Sequence, residues 1–338
     1  MKFSIITPSH KYQSYFNELY ISITQQTYEN WEWIVYLNGE FKKNQLSKEI
    51  LNDDRVKIYT NYDGNTNIGY VKNKAFSLGT GDILVEVDHD DILTPDCLEE
   101  LATAFENNPE CGFVYSNNAT YHIEDKFVPY SPVFGWTYNT YDWNDKKLIA
   151  MNSFDPSSHS VSYIWYAPDH VRAWRKNTYE KVGGHNIELS MCDDHELMIR
   201  TYLNTKFYHI HKVLYIYRIT GDNSFLERNA AIQIKTKELH NQYAQLLAER
   251  DADLKGLLKI DMGGGLFPRA GYTTIDQEDG DIICDLNEGI PLDDNSVGVL
   301  NASHVIEHLR DPIKTMREIH RVLAHGGWAF IEVPSTEG

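Results

Sequence analysis

The sequence predicts an α/β protein in two parts, the first built on a sheet with helices on both faces, the second a smaller and incomplete α/β unit. Three observations carry this. Short apolar runs rich in Ile and Val alternate with stretches of helical periodicity over the first 220 or so residues. One such run, residues 83–87, ends abruptly in Asp88, His89, Asp90 and Asp91. After a long helical stretch a new strand pattern begins at residue 259 and closes on Gly263, Gly264 and Gly265. The expected division is 1–228, a helical linker over 229–255, and a second domain over 256–338.

The elements follow in order. Residues 3–7 read as a buried strand stopped by Pro8 and Ser9, and a helix starts near Ser14 with Tyr15, Leu19 and Ile23 on one face. Residues 31–37 and 56–60 are the next strands, and 67–79 is a loop entering a helix. Residues 83–87 form a central strand buried on both faces. Thr94 is placed to cap the following helix, with Pro95 in its first turn and Leu98, Leu101, Ala102 and Phe105 on its apolar stripe. Another strand covers 111–118. Residues 124–162, rich in Tyr, Trp, Asn, Ser and Pro without periodicity, read as a functional loop or lid. A short element at 171–174, a helix at 193–202, a strand pair at 207–217 and a helix at 230–247 follow.

A chain of 338 residues with 42% hydrophobic and 24% charged residues is long enough for two cores and ordinary for a soluble protein. Its net charge of −18 argues against a nucleic-acid binder that works by neutralising phosphates. No apolar run is long enough to span a bilayer and the N-terminus lacks a signal-peptide pattern, so a cytoplasmic protein without an integral membrane segment is expected. Cys97, Cys111, Cys192 and Cys284 are far apart and show no metal-binding spacing, as expected of reduced thiols.

The chemistry concentrates at the acidic strand end. In open α/β sheets ligands sit beyond the carboxyl ends of strands. Alternation along a strand puts Asp88 and Asp90 on one side and His89 on the other. Carboxylates crowded there need neutralisation, and a divalent cation that bridges them to a diphosphate supplies it. The alternative use of these acids, capping the next helix, is weakened because Thr94 already supplies a cap. His195, His209 and His211 read as solvated or core histidines rather than ligands.

The order Ile5-Ile6-Thr7-Pro8, Trp31-Glu32-Trp33-Ile34-Val35, Asn67 to Ala75, Gly81-Asp82 and Asp88-His89-Asp90-Asp91 resembles the family 2 glycosyltransferases of the GT-A fold. Val182-Gly183-Gly184, Asp193-Asp194-His195-Glu196-Leu197, Arg200 and Leu214-Tyr215-Ile216-Tyr217-Arg218 continue the pattern, so the resemblance covers about residues 1–225. It implies a mixed sheet, an inverting transfer from a nucleotide-diphosphate sugar, expected to be a UDP-sugar, and Mn2+ or Mg2+. The acceptor is expected to be a hydroxyl of a glycan or glycolipid. On this resemblance Pro8, Ser9 and Asn38 frame the nucleobase, although the family usually carries an acid where Asn38 stands. Lys72 and Asn73 lie near the nucleoside or diphosphate, Asp88 takes the ribose, and Asp90 ligates the metal with Asp91 as second contact or support. Asp194 is the base, and Arg172, Arg175, Arg200 and Arg218 are candidates for the diphosphate. Thr220 stands where some relatives place a further metal-binding His, with Asp222 as a substitute. Trp165 and Trp174 are candidates to floor the acceptor site.

In the second part, residues 259–265, 272–276, 281–285, 299–303, a helix over 312–323 and a strand over 329–333 resemble the class I S-adenosylmethionine-dependent methyltransferases. The resemblance puts Gly263 and Gly265 at the methionine end of S-adenosylmethionine, Asp276 at the ribose and Asp285 at the adenine. There is no room for the usual first helix between Gly265 and Tyr272, and the pattern stops at the fifth strand, as in a truncated Rossmann-like domain. Two other functional classes compete with glycosyl transfer: methylation of a glycan that the first domain only binds, and a non-catalytic nucleotide- or carbohydrate-binding scaffold.

Overall fold

The computed structural model describes residues 1–123, 129–220 and 223–335. It falls into two compact units, Met1–Asn241 and Gln242–Gly338.

In the first unit, β1 (Phe3–Ser9), α1 (Tyr15–Thr24), β2 (Trp31–Leu37), α2 (Lys48–Asn52), β3 (Val56–Thr60), α3 (Ile68–Ser77) and β4 (Ile83–Glu86) alternate. Their strands run parallel in the order β3-β2-β1-β4. Next come β5 (Ile92–Leu93), α4 (Cys97–Asn107), β6 (Cys111–His122), β7 (Thr137–Trp143), β8 (Lys146–Asn152) and α5 (Ser158–Tyr163). The unit continues with β9 (Arg172–Arg175), α6 (Lys176–Lys181), α7 (Asp193–Asn204), β10 (Lys206–Ile219) and the long α8 (Ser224–Lys255), which contains the division between the units. The sheet extends as β4-β9-β6-β10-β5, and β9 runs antiparallel to both of its neighbours, which makes the sheet mixed. Phe3, Ile5, Trp33, Val35, Ile83 and Val85 are fully buried, as strands covered on both faces require.

Four expectations change. The strand pair expected over 207–217 is one continuous strand, β10. β4 ends at Glu86, so Asp88 to Asp91 lie in a turn and strand alternation does not sort them. The helix after the turn starts at Cys97; Thr94 does not cap it, and its hydroxyl donates to Asp96 Oδ1 at 2.7 Å. The stretch expected to be irregular contains the β7–β8 hairpin, which joins the sheet through β6. β7 keeps its polar residues largely exposed, so no apolar period marks it; residues 124–128 lie outside the described residues.

One close approach positions the site. At the start of α3, Asn67 Oδ1 accepts from the amides of Gly69 and Tyr70, and Gly69 N–H donates to Leu189 O at 3.1 Å. A Cβ on Gly69 would lie 2.0 Å from Asn186 O, so only glycine lets helix and loop backbones meet there.

The second unit is a parallel sheet of β11 (Leu258–Met262), β12 (Thr273–Asp276), β13 (Ile282–Ile283), β14 (Val297–Ser303) and β15 (Leu323–Glu332) in the order β13-β12-β11-β14-β15. Helix α9 (Pro312–Val322) is capped by Asp311 Oδ1, which accepts from the amides of Ile313 and Lys314. Ile260, Met262, Ile275, Leu300, Ile319 and Val322 form its core. Residues 263–272 contain no helix. Among the described residues, no helix is long and apolar enough to cross a membrane.

Candidate active site

Beyond the carboxyl ends of β1 and β4 the first unit opens a cleft of about 450 Å³. Pro8, Lys72, Asp88, His89, Asp90, Trp165, Asp193, Asp194, Tyr217 and Arg228 are among its lining residues, so the acidic turn and the start of α7 meet in one cavity. Its size suits a small-molecule site.

Beneath the cleft lies a buried ionic network. Glu86, the last residue of β4, is 1% exposed. Lys72 Nζ, one turn into α3, donates to its Oε1 at 2.6 Å, and Arg172 of β9 approaches its Oε2 at 3.6 Å. Burial alone would raise the Glu86 carboxyl, but Lys72 and Arg172 hold it down at about 2. Arg172 also donates to Asp194 Oδ2 at 2.7 Å, and Lys72 Nζ stands 3.9 Å from Asp193 Oδ2. His185, kept neutral by burial, faces Glu86 and Asp193 at 4.0 and 3.8 Å.

The two acids that open α7 are driven apart by this setting. Burial pushes Asp193 up to about 7, with Asp194 and Glu86 adding to the rise against Lys72. Burial also opposes ionisation of Asp194, but Arg172 and Lys72 prevail and hold it well below the usual carboxylate range. The Asp194 side chain is 20% exposed and that of Asp193 5%. Cys192 precedes them at φ 55°, a left-handed conformation that costs a non-glycine residue about 1–3 kcal/mol and that turns the chain into the helix at the cleft. On the other element, burial pushes Asp88 up to about 7, opposed by Lys72 and reinforced by Glu86 and Asp90. His89 faces the same cavity as Asp88 and Asp90, contrary to the alternation argument.

Several expected ligands belong to the framework. Asp91 is fully buried, and its oxygens accept from Tyr215 OH and the Arg218 amide, both at 2.7 Å. Both oxygens are thus engaged in holding the turn. Tyr215 OH also accepts from the Asp88 amide at 3.1 Å. Arg218 donates to Asp90 O and to Glu18 Oε2, at 2.7 and 2.8 Å, and so clamps the turn. Arg200 is spent on Glu196, Val182 O and Gly184 O, and Asn73 donates to His185 O at 2.8 Å; both brace the glycine turn at 183–184. Arg172 holds Asp194, and Arg175 donates to Cys111 O and Phe105 O. Asn38 is buried with its Oδ1 accepting from Asn61, and the Ser9 hydroxyl donates to Lys11 O, which leaves Pro8 as the cleft-lining member of that group. Trp174 is core, donating to Thr201 Oγ1, whereas Trp165 lines the cleft. His195 is buried against Ser162 O. Thr220 lines the cleft, and Asp222 lies outside the described residues.

The sequence reading missed Arg228. It lines the cleft from α8, exposed and with no ion-pair partner among the described residues. The mixed periodicity of a long helix gives no hint of it. Glu86, which falls within the strand expected over 83–87, has a sequence signal: a single acid inside an apolar run.

In the second unit a cleft of about 350 Å³ is lined by Asp261, Met262, Gly263, Gly264, Phe267, Arg269 and Ser303. Gly263 sits at φ 70° where a Cβ would meet Val305 at 2.4 Å. Gly265 and Asp276 lie beside each other, since a Cβ on the glycine would be 3.6 Å from Asp276 Oδ2. Asp285 is folded onto the Asn287 amide at 2.9 Å.

Residues 4–163 match the family model described as Glycosyl transferase family 2, and residues 242–331 match the one described as Methyltransferase domain. The glucosyl-dolichyl phosphate glucuronosyltransferase of Haloferax volcanii is 33% identical over 113 residues, 32% of this chain and 36% of that one. The O-antigen biosynthesis protein RfbC of Myxococcus xanthus is 25% identical over 69% of this chain, which spans 17% of its length. The chain thus spans well under half the length of these two relatives. Among solved structures, TarS 1–349 of S. aureus in complex with UDP-GlcNAc aligns with a TM-score of 0.53 and 17% identity, over 75% of this chain and 73% of that one. The mannosyltransferase PcManGT from Pyrobaculum calidifontis, in complex with GDP-Man and Mn2+, gives 0.50 and 12%, over 72% and 64%. The first unit has the GT-A glycosyltransferase fold.

Replacing Glu86 by Ala strands Lys72 and Arg172 without their shared counter-charge. The substitution is expected to cost about 3–5 kcal/mol of stability, read as a lower midpoint of urea unfolding.

Proposed function

From a first unit with the GT-A fold and a family 2 glycosyltransferase domain, we infer that this chain moves a sugar from a nucleotide-diphosphate donor to an acceptor hydroxyl. The observation that carries the reading is the meeting of Asp88 and Asp90 with Asp193 and Asp194 in one cleft. We take the donor to be a UDP-sugar, a choice supported by the UDP-GlcNAc complex of a structural neighbour, and the acceptor to be a glycan or glycolipid.

A divalent cation fits the residues present. The donors are carboxylate oxygens, which suit Mg2+ or Mn2+, and a cation there would offset the burial that, with Glu86 and Asp90, raises the Asp88 carboxyl. Asp90, with Asp88 beside it, would hold the ion, which when bound neutralises charge developing on the departing diphosphate. Asp88 also accepts from the ribose hydroxyls, Pro8 frames the base, and Lys72 and Arg228 bring positive charge to the diphosphate. Asp194 receives the acceptor's proton in a single inverting displacement. Arg172 keeps this carboxylate ionised and only weakly basic, so it takes a proton that becomes acidic as the new bond forms and does not deprotonate a free alcohol. Trp165 and Tyr217, the aromatic residues that line the cleft, would contact the acceptor sugar.

Asp194→Asn preserves shape and removes the proton acceptor. We expect kcat for UDP release in the presence of acceptor to fall about 10²–10⁴-fold with donor affinity retained; unchanged turnover would reject the assignment. Protons compete with the cation for Asp88, so Mn2+ affinity measured by calorimetry should weaken as pH falls below about 7. A flat profile would remove Asp88 from the site. For the second unit, Gly263 and Asp276 at strand ends favour S-adenosylmethionine as ligand. If so, it raises the melting temperature of the full chain, whereas no shift leaves this unit as scaffold.

A further inference from the structure

Away from the cleft, Asp155 in the segment after β8 and His209 and His211 on β10 bring one carboxylate oxygen and two ring nitrogens within 4.8 Å of one another. His209 Nδ1 is 3.0 Å and His211 Nε2 3.5 Å from the same atom, Asp155 Oδ1, and the two rings are 4.0 Å apart. None of the three lines the donor cleft.

The far side of the His209 ring fixes its tautomer. Nε2 lies 2.9 Å from Asn117 Oδ1, and that atom is identified as the oxygen because the Ser153 amide donates to it at 2.8 Å. A neutral imidazole carries one N–H, so the proton sits on Nε2 and Nδ1 presents its lone pair to a carboxylate oxygen. Tyr115, stacked on the ring at 4.6 Å and 4°, keeps it from turning away. Lone pair against carboxylate at 3.0 Å is repulsive unless positive charge lies between them, and His211 directs a second nitrogen at the same point.

We propose that Asp155, His209 and His211 hold a borderline divalent cation, Zn2+ being the best match, with solvent completing the coordination. Ligands ~2.0 Å from a tetrahedral ion stand ~3.3 Å from one another, which the two observed nitrogen–oxygen separations bracket. Two imidazoles select zinc, whereas the carboxylate pair Asp88 and Asp90 in the cleft suits magnesium or manganese. The Asp155 and His211 side chains are 75% and 69% exposed, so the ion has a path in. Asp155 O accepts from the hydroxyl of Ser160 in α5 at 2.9 Å, five residues before Trp165. The ion therefore clasps the segment that carries a cleft-lining residue onto β10.

The test uses tag-free full chain, stripped with chelator and returned to excess Mg2+, then titrated calorimetrically with Zn2+. One equivalent is expected to bind and to raise the melting temperature. His211→Ala and Asp155→Asn, both at exposed positions, should weaken uptake at least about ten-fold without moving the metal-free melting temperature. Equal uptake by wild type and variants overturns the proposal, because the zinc then sits elsewhere. So does absence of uptake by the wild type, which would leave a second proton on His209, paired with Asp155, as the charge between them.

Discussion

A carboxylate that cannot reach water organises the first unit. Glu86 sits at the end of β4, and its charge is tolerable only because Lys72 and Arg172 arrive from α3 and β9. Desolvating such ions costs several kcal/mol each, so the contacts offset a penalty more than they add stability. Their value lies in position. Arg172 reaches on to Asp194, and Lys72 stands between Glu86 and Asp193, so strand, two helices and a neighbouring strand are located by one set of charges. The same charges set the ionisation of the two α7 acids in opposite senses.

A second layer fixes the loops. Asp91, Tyr215 and Arg218 hold the acidic turn from below, and Asn73 and Arg200 hold the glycine turn at 183–184. Of these, Asp91, Arg218, Asn73 and Arg200 are residues that motif order marks as ligands, because a motif gives residue order without saying which partner each side chain meets. Asp91 resembles Asp90 in sequence but differs in every physical respect: its two oxygens are occupied and it faces away from solvent.

The parallel strands, the acidic strand end and the paired acids of α7 were legible because each has a local signature: an apolar run, a charge cluster, a helix start. The β7–β8 hairpin was not, since its outward faces leave no alternation to read. The framework roles of Asn38, Arg200 and Arg218 depend on partners such as Asn61, Gly184 and Glu18, and no spacing rule pairs residues that the fold brings together from afar. Arg228 emerges at the cleft only because α8 passes there. The histidines dismissed singly form a cluster only when β10 and the Asp155 segment are seen side by side.

The contact at Gly69 has a thermal consequence. At Gly69 the start of α3 meets the 186–189 loop through main-chain atoms, so the backbone of the helix that carries Lys72 is seated directly on the loop that leads into α7. Warming populates other rotamers gradually, whereas a backbone-to-backbone seat holds until the unit melts cooperatively. The spacing of the two backbones should therefore hold across the native temperature range and be lost in a single step.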